Sequence, residues 1–429
     1  MDIGSYSLSE KDRARGVYVI GGSGSGKSTL LLGMALQDAQ EGHGLCFIDP
    51  HGDTAREFLE RVHESRAGDV IYVDPSDRDS SPALNPFDAP YADPSTNADN
   101  IVAAFRARFG ESWGPSLERL FLFSTMALVE CQDATLLSIP QMFHSKAYRA
   151  YVLKTVTNPL VAAFWREEFP KWNDRMLDQR LDPVLNKVER TLMHPAIMNI
   201  LGQPRGKLNM RTIMDERQIL IINLSKGALG LAGSLLGSFT VSLIAQAALS
   251  RQDTPPELRK PFHLYVDEFQ NAVTDSFDDI ASEARKYRLS LTLAHQFFGQ
   301  VPERVRKSAL ANCKNLISFN VGADDAPLIA EQLGWENPRT LMELPDYSVM
   351  ARLHMVGRPS QVLQIALDPL PTVSDSFSSR IIRRSQNEHS RPRSVVEGRI
   401  RRFLTAEKTG KKKGRRPSRP GKPEANAWA

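Results

Sequence analysis

Cysteine is scarce in this chain, which has only Cys46, Cys131 and Cys313 among 429 residues. The three lie far apart, and their spacing matches neither a zinc site nor the disulfide framework of a small secreted domain. We therefore expect a protein of the reducing cytoplasm, with a hydrophobic core that is stable without disulfides or a structural metal ion.

Long hydrophobic runs and targeting segments are also few. We expect neither a signal peptide nor a membrane span in the 20 residues before the glycine-rich motif. Residues 227–250 are 24 residues without a charge, long enough to cross a bilayer. Because they lie between predicted strands of one sheet and are rich in glycine and serine, we interpret them as a buried core helix, with a membrane span as the alternative.

Net positive charge is absent from residues 1–379, which carry a net charge of −8, and is concentrated at the end of the chain. Sixteen Lys/Arg and four Asp/Glu lie in residues 380–429, while the whole chain carries a net charge of only +4. Residues 375–429 lack apolar periodicity, so we predict a basic disordered tail. The run Lys411-Lys412-Lys413-Gly414-Arg415-Arg416 would attract nucleic acid. A solvated tail that keeps the protein soluble is an equally open interpretation, and an acidic protein partner is a third option.

A glycine-rich motif follows a predicted strand at residues 17–20 and precedes a predicted helix at residues 27–40. Its residues are Gly21, Gly22, Ser23, Gly24, Ser25, Gly26, Lys27, Ser28 and Thr29. This order fits a P-loop, in which backbone N–H groups wrap the phosphates of ATP and Lys27 reaches the β and γ oxygens. Ser28 would place its hydroxyl on Mg²⁺. A flexible Gly/Ser turn is the alternative.

Two acids end another predicted strand, at residues 262–266. Asp267 and Glu268 lie at its carboxyl end, where open α/β sheets bind ligands. Asp267 would hold magnesium through water, and Glu268 would act as the general base on the attacking water. An acid pair favours hydrolysis over transfer to a small acceptor, and a solvent-facing acidic turn is the alternative.

Gln296 ends a third strand pattern, at residues 289–294. A terminal glutamine can contact both the γ-phosphate and the lytic water. His295 beside it is unspecific, and such a histidine is more often packed or bonded to backbone.

Strands and helices alternate over residues 14–80 and resume at residues 219–224, so we predict an α/β fold with a mostly parallel sheet covered by helices. Residues 347–353 and 361–366 are predicted as a final antiparallel pair, turning through Gly357-Arg358-Pro359. Asp49, His51 and Asp53 follow one strand and fit either a place near the phosphates or an ordinary turn.

Residues between about 97 and 213 keep helical spacing without a convincing strand. The predicted domains are the first part of the NTPase domain, 1–88, an all-helical insertion, 89–214, the second part of the NTPase domain, 215–374, and the basic disordered tail, 375–429.

Taken together, these motifs resemble the conjugative coupling ATPases of type IV secretion systems, within the HerA/FtsK superfamily of RecA-like P-loop motors. The resemblance covers about residues 13–367. It rests on the P-loop, Phe47-Ile48-Asp49-Pro50-His51-Gly52-Asp53, Asn85-Pro86-Phe87, Trp113-Gly114-Pro115, Val266-Asp267-Glu268-Phe269-Gln270 and Glu283-Ala284-Arg285-Lys286-Tyr287 leading to Ala294-His295-Gln296.

The resemblance implies a homo-hexameric ring that binds ATP and Mg²⁺ at its interfaces and pumps DNA, single- or double-stranded, with relaxase and type IV secretion components as partners. It also implies an arginine finger from the neighbouring subunit, for which Arg285 is the candidate and Arg288 the competitor. Members of this family usually carry membrane-spanning helices before the P-loop, and this sequence shows none there. We therefore expect a cytoplasmic protein, peripheral to the inner membrane through its partners. A relative that serves another DNA-handling task and a start site placed too late are the open alternatives.

The predicted function is an ATP-driven DNA-translocating motor of conjugative or mobile-element transfer. A HerA-like ATPase of DNA repair or segregation is the alternative with the same chemistry. A platform that binds ATP to assemble and recruits cargo without translocation is the alternative of another class, and a small-molecule kinase is the third.

Overall fold

Runs of β-branched and aromatic residues form most of the strands. The computed structural model describes residues 2–410 except 5, 225, 275, 276, 356, 358, 374 and 375. Its strands are β1 (Asp2–Ile3), β2 (Tyr6–Ser7), β3 (Val17–Ile20), β4 (Gly44–Asp49), β5 (Val70–Val73), β6 (Ser80–Pro82), β7 (Ile219–Asn223), β8 (Phe262–Val266), β9 (Leu289–His295), β10 (Asn315–Ser318), β11 (Ser348–Leu353), β12 (Gln361–Ala366) and β13 (Ser390–Pro392).

Helices connect most of these strands. They are α1 (Glu10–Arg13), α2 (Lys27–Gln40), α3 (Asp53–Arg61), α4 (Glu64–Ala67), α5 (Pro94–Phe109), α6 (Pro115–Val129), α7 (Ser138–His144), α8 (Lys146–Val152), α9 (Pro159–Ala163), α10 (Asp174–Leu192), α11 (Pro195–Leu201), α12 (Met210–Asp215), α13 (Lys226–Leu249), α14 (Phe277–Glu283), α15 (Glu303–Asn312), α16 (Ala326–Leu333), α17 (Arg339–Met342), α18 (Ser378–His389) and α19 (Arg393–Gly410).

Nine strands form one sheet in the order β12-β11-β10-β3-β9-β8-β4-β7-β5. The strands from β10 to β5 are parallel, and β11 and β12 pair antiparallel at one edge, as the sequence predicts. Every residue of β3, β4, β5, β7, β8, β9 and β10 is buried. Since alternate residues of a strand face opposite sides, both faces of this sheet are covered. The predicted α/β class is confirmed.

The long apolar segment forms α13, which is interrupted at Gly230. Residues 229–253 are long and apolar enough to cross a membrane, but 94% of the most hydrophobic window is buried inside the protein. The interpretation of this segment as a core helix is therefore confirmed.

The chain divides into two compact units. One contains residues 1–74 and 209–385, and so holds the nine-stranded sheet. The other contains residues 75–208 and 386–429, of which 411–429 lie outside the described residues. In this second unit Trp165 is 1% exposed and lies in an aromatic cluster with Phe143, Phe164 and Phe169. The unit shares residues 89–208 with the predicted insertion, whose bounds stay a prediction.

The predicted start of the disordered tail at residue 375 is wrong, because residues 378–410 form α18, β13 and α19. The hydroxyl of Ser385 donates to the carbonyl of Tyr72 and accepts from its N–H, so α18 covers the edge strand β5. In α19, Val396 and Ile400 are buried one helical turn apart. A few well-spaced apolar residues thus hold both helices despite their charge. The lysine-rich run 411–416 lies outside the described residues, as does Arg358 in the predicted turn.

Candidate functional site

The carboxyl ends of three neighbouring strands bring the predicted motifs together. β3 and β9 pair in parallel with Ile20 opposite His295, and β8 pairs with the other side of β9. The glycine loop, Gln296 and Asp267 are the residues that follow these three strand ends. They therefore lie side by side along one edge of the sheet, with the glutamine between the loop and the acids.

The glycine loop has the backbone geometry of a phosphate cradle. Gly26 has φ 110°, which side-chain-bearing residues rarely adopt, and α2 begins at the next residue. The Nζ of Lys27 donates hydrogen bonds to the carbonyls of Gly21 and Gly22, each at 2.7 Å. Its amine is thus held over the loop, at the N-terminus of a 14-residue helix.

Lys27 lies in a mixed electrostatic environment. Burial lowers its pKa, and the nearby carboxylates of Asp267 and Glu268 oppose this shift. The side chain is 7% exposed, so its charge interacts with these acids through a largely water-free space. The two acids therefore help to keep the buried amine charged.

Ser28 and Asp267 form the pair expected to hold magnesium. The Ser28 hydroxyl donates to Oδ2 of Asp267 at 2.7 Å, across 239 positions of sequence. Burial raises the pKa of Asp267, while the hydrogen bonds from Ser28 and from the backbone N–H of Glu268 oppose the rise. A bound divalent cation would favour the charged carboxylate.

These two oxygen ligands fit Mg²⁺, which proteins usually bind through one or two side chains together with substrate phosphates and water. In the described part of the chain no group of three His, Cys, Asp or Glu side chains could hold a metal ion by itself. A magnesium ion at Ser28 and Asp267 would therefore depend on the nucleotide for its remaining ligands.

Glu268 has a strained backbone and a fully engaged side chain. Its φ of 45° and ψ of 54° place it in the left-handed region, which is uncommon for a residue with a side chain. Oε1 accepts from Nε2 of Gln296 at 2.7 Å, and Oε2 accepts from Nδ2 of Asn271 at 3.1 Å. The carboxylate therefore lies between Gln296 and Asn271, and backbone outliers of this kind concentrate at functional sites.

Gln296 is fixed at both its backbone and its side chain. Its N–H donates to Oε1 of Gln300 at 3.2 Å, and Gln300 also accepts from Gln270. Its side-chain amide contacts Glu268 as described above. The structure thus places the predicted base and the predicted water-positioning residue in direct contact, whereas their catalytic roles stay predictions.

His295 is a buried, neutral residue that links Gln296 to the strand before the P-loop. Its Nδ1 lies 3.1 Å from the carbonyl of Phe297, and its Nε2 lies 2.6 Å from the Tyr18 hydroxyl. Since a carbonyl can only accept, Nδ1 carries the proton and Nε2 accepts from Tyr18. Burial lowers the pKa of His295 to about 3, so the ring is uncharged near neutral pH.

The three residues Asp49, His51 and Asp53 have different surroundings. Asp49 is buried and accepts from the N–H groups of His51 and Ala55, each at 2.8 Å, so it orders the turn before α3. His51 Nε2 lies 3.2 Å from Oε1 of Glu268. Asp53 is 91% exposed. Of the three, His51 alone contacts a predicted catalytic side chain.

Arg285 lies at the opposite, amino end of the strands, in a 3₁₀ turn at Ala284–Tyr287 just before β9. It is exposed. β9 is seven residues long, or about 20 Å at ~3.3 Å per residue, so Arg285 is far from its own P-loop. The competing residue, Arg288, is held in an ion pair with Glu10 at 2.9 Å.

Two further residues lie along this edge of the sheet, and no motif in the sequence indicated either of them. Tyr347, with φ 57° and 52% exposed, lies against the P-loop, where its ring is 3.0 Å from the position of a Cβ on Gly26. Asn223, at the buried end of β7, donates to Tyr72 and Asp74. Only the fold brings these side chains to the edge.

A family model described as the TraM recognition site of TraD and TraG matches residues 261–343. This segment begins just before β8 and contains Asp267, Glu268, Arg285 and Gln296. No curated protein sequence matches the chain.

Solved structures extend the likeness to most of the chain. An unbound form of the bacterial conjugative coupling protein TrwBdeltaN70 is 14% identical, covers 88% of this chain and 89% of its own, and superposes with a TM-score of 0.63. The plasmid coupling protein TrwB in complex with ADP and Mg²⁺ gives 14% identity, coverage of 87% and 90%, and a TM-score of 0.62.

VirB4 of Thermoanaerobacter pseudethanolicus is 13% identical over 83% of this chain and 90% of its own, with a TM-score of 0.56. The predicted resemblance to coupling-protein ATPases of type IV secretion is thereby confirmed. The chain has the fold of a conjugative coupling-protein ATPase, and its residues 261–343 carry the sequence pattern of the TraD and TraG family.

Proposed function

We propose that this protein is an ATP-driven motor that translocates DNA in conjugative or mobile-element transfer. Two hydrogen-bonded pairs beside the P-loop support this proposal: Ser28 with Asp267, and Gln296 with Glu268. The first pair offers magnesium ligands, and the second offers a base joined to a water-positioning amide. The fold shared with TrwB and VirB4 supports the same reading.

The roles of the residues follow from their positions. Lys27 and the loop N–H groups bind the β- and γ-phosphates of ATP, while Ser28 and Asp267 hold Mg²⁺. The bound ion neutralises charge that develops on the phosphate oxygens. Glu268 accepts a proton from the attacking water, and Gln296 orients that water while its own amide keeps Glu268 in place.

Arg285 completes the site of a neighbouring subunit in a homo-hexamer. It lies about one strand length from its own P-loop and makes no ion pair in the described part of the chain. An arginine supplied across an interface is typically worth ~10³–10⁵ in rate. Because Arg288 is already paired with Glu10, Arg285 is the better finger.

The partners follow from the matched segment. Residues 261–343 match a model described as a TraM recognition site, which supports contact with the DNA-processing complex, including a relaxase, and with type IV secretion components. The protein works in the cytoplasm, peripheral to the inner membrane through these partners. Phosphate contacts, largely independent of sequence, grip the DNA.

The direct test is steady-state ATP hydrolysis with no DNA, with single-stranded DNA and with double-stranded DNA, followed by displacement of a protein block from the strand. The expected result is DNA-stimulated hydrolysis and displacement that stops in Lys27→Ala. Hydrolysis without any DNA effect or displacement would contradict the motor. Transfer that survives in Glu268→Gln would favour a recruitment platform.

A further inference from the structure

The order of the strands determines on which side of the glycine loop each part of a nucleotide would lie. β3, which leads into the loop, has β9 and β8 on one side and β10 and β11 on the other. Gln296 and the acid pair follow β9 and β8, so the γ-phosphate of a bound nucleotide would lie on their side. The ribose and the base would therefore leave the loop toward β10 and β11.

Tyr347 lies on this second side, as the residue before β11. Ile20, Ser318 and Met350 are in register across β3, β10 and β11. Because β11 runs antiparallel to β10, its first residue lies at the same edge of the sheet as the carboxyl end of β3. β11 is two strands from β3, or ~10 Å at ~4.8 Å per strand. The tyrosine thus lies beside the glycine loop, on the side away from the acid pair.

The backbone around Tyr347 is bonded to the glycine loop. The N–H of Tyr347 donates to the carbonyl of Ser25 at 3.3 Å, and its own carbonyl accepts from the N–H of Leu367 at 2.9 Å. The N–H of Gly22 donates to the carbonyl of Asn320 at 2.7 Å, so the segment after β10 also holds the loop. These bonds surround a residue with φ 57°, in the left-handed region that is uncommon for a residue with a side chain. Such a conformation persists where the surrounding structure holds it in place.

The ring of Tyr347 contacts the loop and remains open to solvent. Its Cδ1 and Cε1 atoms lie 3.0 and 3.4 Å from the position of a Cβ on Gly26, the residue before Lys27. The residue is nevertheless 52% exposed. Within the residues that the structure describes, its hydroxyl has no hydrogen-bond partner. The ring is therefore available to a ligand that the loop holds by its phosphates.

We propose that Tyr347 stacks on the purine base of the nucleotide held by the glycine loop, an inference that rests on the proposed ATPase function. Aromatic side chains stack on the π-face of a base, and every base has such a face. Stacking does not read the hydrogen-bonding edge of the base, so the site accepts GTP as well as ATP. Because the acid pair lies on the other side of the loop, Tyr347 contributes to nucleotide binding and not to bond cleavage.

The test measures the binding of Mg²⁺-ATP, Mg²⁺-GTP and Mg²⁺-tripolyphosphate to the full chain by calorimetry. Tripolyphosphate has the three phosphates without the ribose and the base, so its affinity reports on the loop alone. Tyr347→Ala should weaken ATP and GTP binding by about 5- to 100-fold, the effect of removing one aromatic ring from a stacked base, and leave tripolyphosphate binding unchanged. Tyr347→Phe keeps the ring and should bind all three ligands like the wild type.

Two further variants complete the comparison. Tyr151→Ala, which removes a tyrosine of the other compact unit, is the matched control and should bind all three ligands like the wild type. Tyr347→Asn removes the ring but tolerates a left-handed backbone, so it replaces the alanine variant if that variant does not fold. In hydrolysis assays, both ring-free variants should raise KM for ATP and retain kcat at saturating ATP.

Equal losses of affinity for ATP and for tripolyphosphate would mean that the ring only supports the loop, and would overturn the proposal. Unchanged affinity for all three ligands would overturn it too, as would a loss confined to ATP, which would indicate that the edge of adenine is recognised. A wild-type chain that binds none of the three ligands would instead overturn the proposed ATPase function.

Discussion

Tyr18→Phe isolates a single hydrogen bond behind the catalytic edge. The change removes only the hydroxyl that donates to Nε2 of His295 at 2.6 Å and leaves the ring in its T-shaped contacts with His295 and Phe269. His295 is 0% exposed, so its Nε2 acceptor would lose its partner in a buried place. The next residue is Gln296.

The size of the effect follows from burial. An unsatisfied buried acceptor costs about 1–3 kcal/mol, so the free energy of unfolding should fall by that amount. If the change displaces Gln296 and raises the activation free energy of hydrolysis by ~1.4 kcal/mol, kcat falls about tenfold. KM for ATP should change little, because Lys27 and the glycine loop are untouched.

The assay combines steady-state hydrolysis with urea unfolding. Tyr148→Phe, which removes a 2.8 Å hydrogen bond to Ser138 in the helical unit, controls for loss of stability alone. Since the pKa of His295 is about 3, the kcat profile from pH 5 to 9 should show no step from this ring. Lost stability with unchanged kcat in Tyr18→Phe would refute the idea that the Tyr18–His295 pair positions Gln296.

Three further predictions concern other parts of the chain. Gly52→Ala places a Cβ 2.3 Å from Oδ1 of Asn223 at φ 93°, so urea unfolding should show a loss on the order of 1–3 kcal/mol. Deleting residues 411–429 should weaken DNA binding and make it less dependent on salt, while ATP hydrolysis in the absence of DNA stays the same. Unchanged DNA binding would show that this segment does not bind DNA. Burial lowers the pKa of His263 to about 3, so below about pH 6.5 the unfolded chain binds a proton that the folded chain does not. As the pH falls below about 6.5, this residue should therefore lower the free energy of unfolding by up to about 1.4 kcal/mol for each pH unit. His263→Leu should remove this contribution to the pH dependence of the free energy of unfolding.

Local patterns in the sequence predicted the strands and helices of the sheet unit well. Three elements have the predicted bounds: the strand Val17–Ile20, the helix Lys27–Gln40 and the strand Phe262–Val266. Each has a clear hydrophobic pattern, and glycine, lysine or acidic residues mark where it begins or ends. The predicted closing pair of antiparallel strands is confirmed for the same reason.

Contacts between strands could not be predicted in this way. The hydrogen bond between Gln296 and Glu268 depends on β9 lying next to β8, and that order is a property of the whole sheet. The contact of His51 with Glu268 and the place of Tyr347 beside the P-loop likewise arise from long-range packing. Helices α18 and α19 were missed because a few buried residues, such as Ile381 and Ile400, hold segments whose composition is mostly charged.

In the proposed mechanism, Mg²⁺-ATP is cleaved where the glycine loop, the acid pair and Gln296 meet. The most direct measurement is phosphate release by Glu268→Gln beside the wild type, with ATP-analogue binding measured in the same samples. We expect unchanged binding and a rate lower by ~10²–10⁴-fold, the usual contribution of a general base. Hydrolysis by Glu268→Gln at the wild-type rate would contradict it.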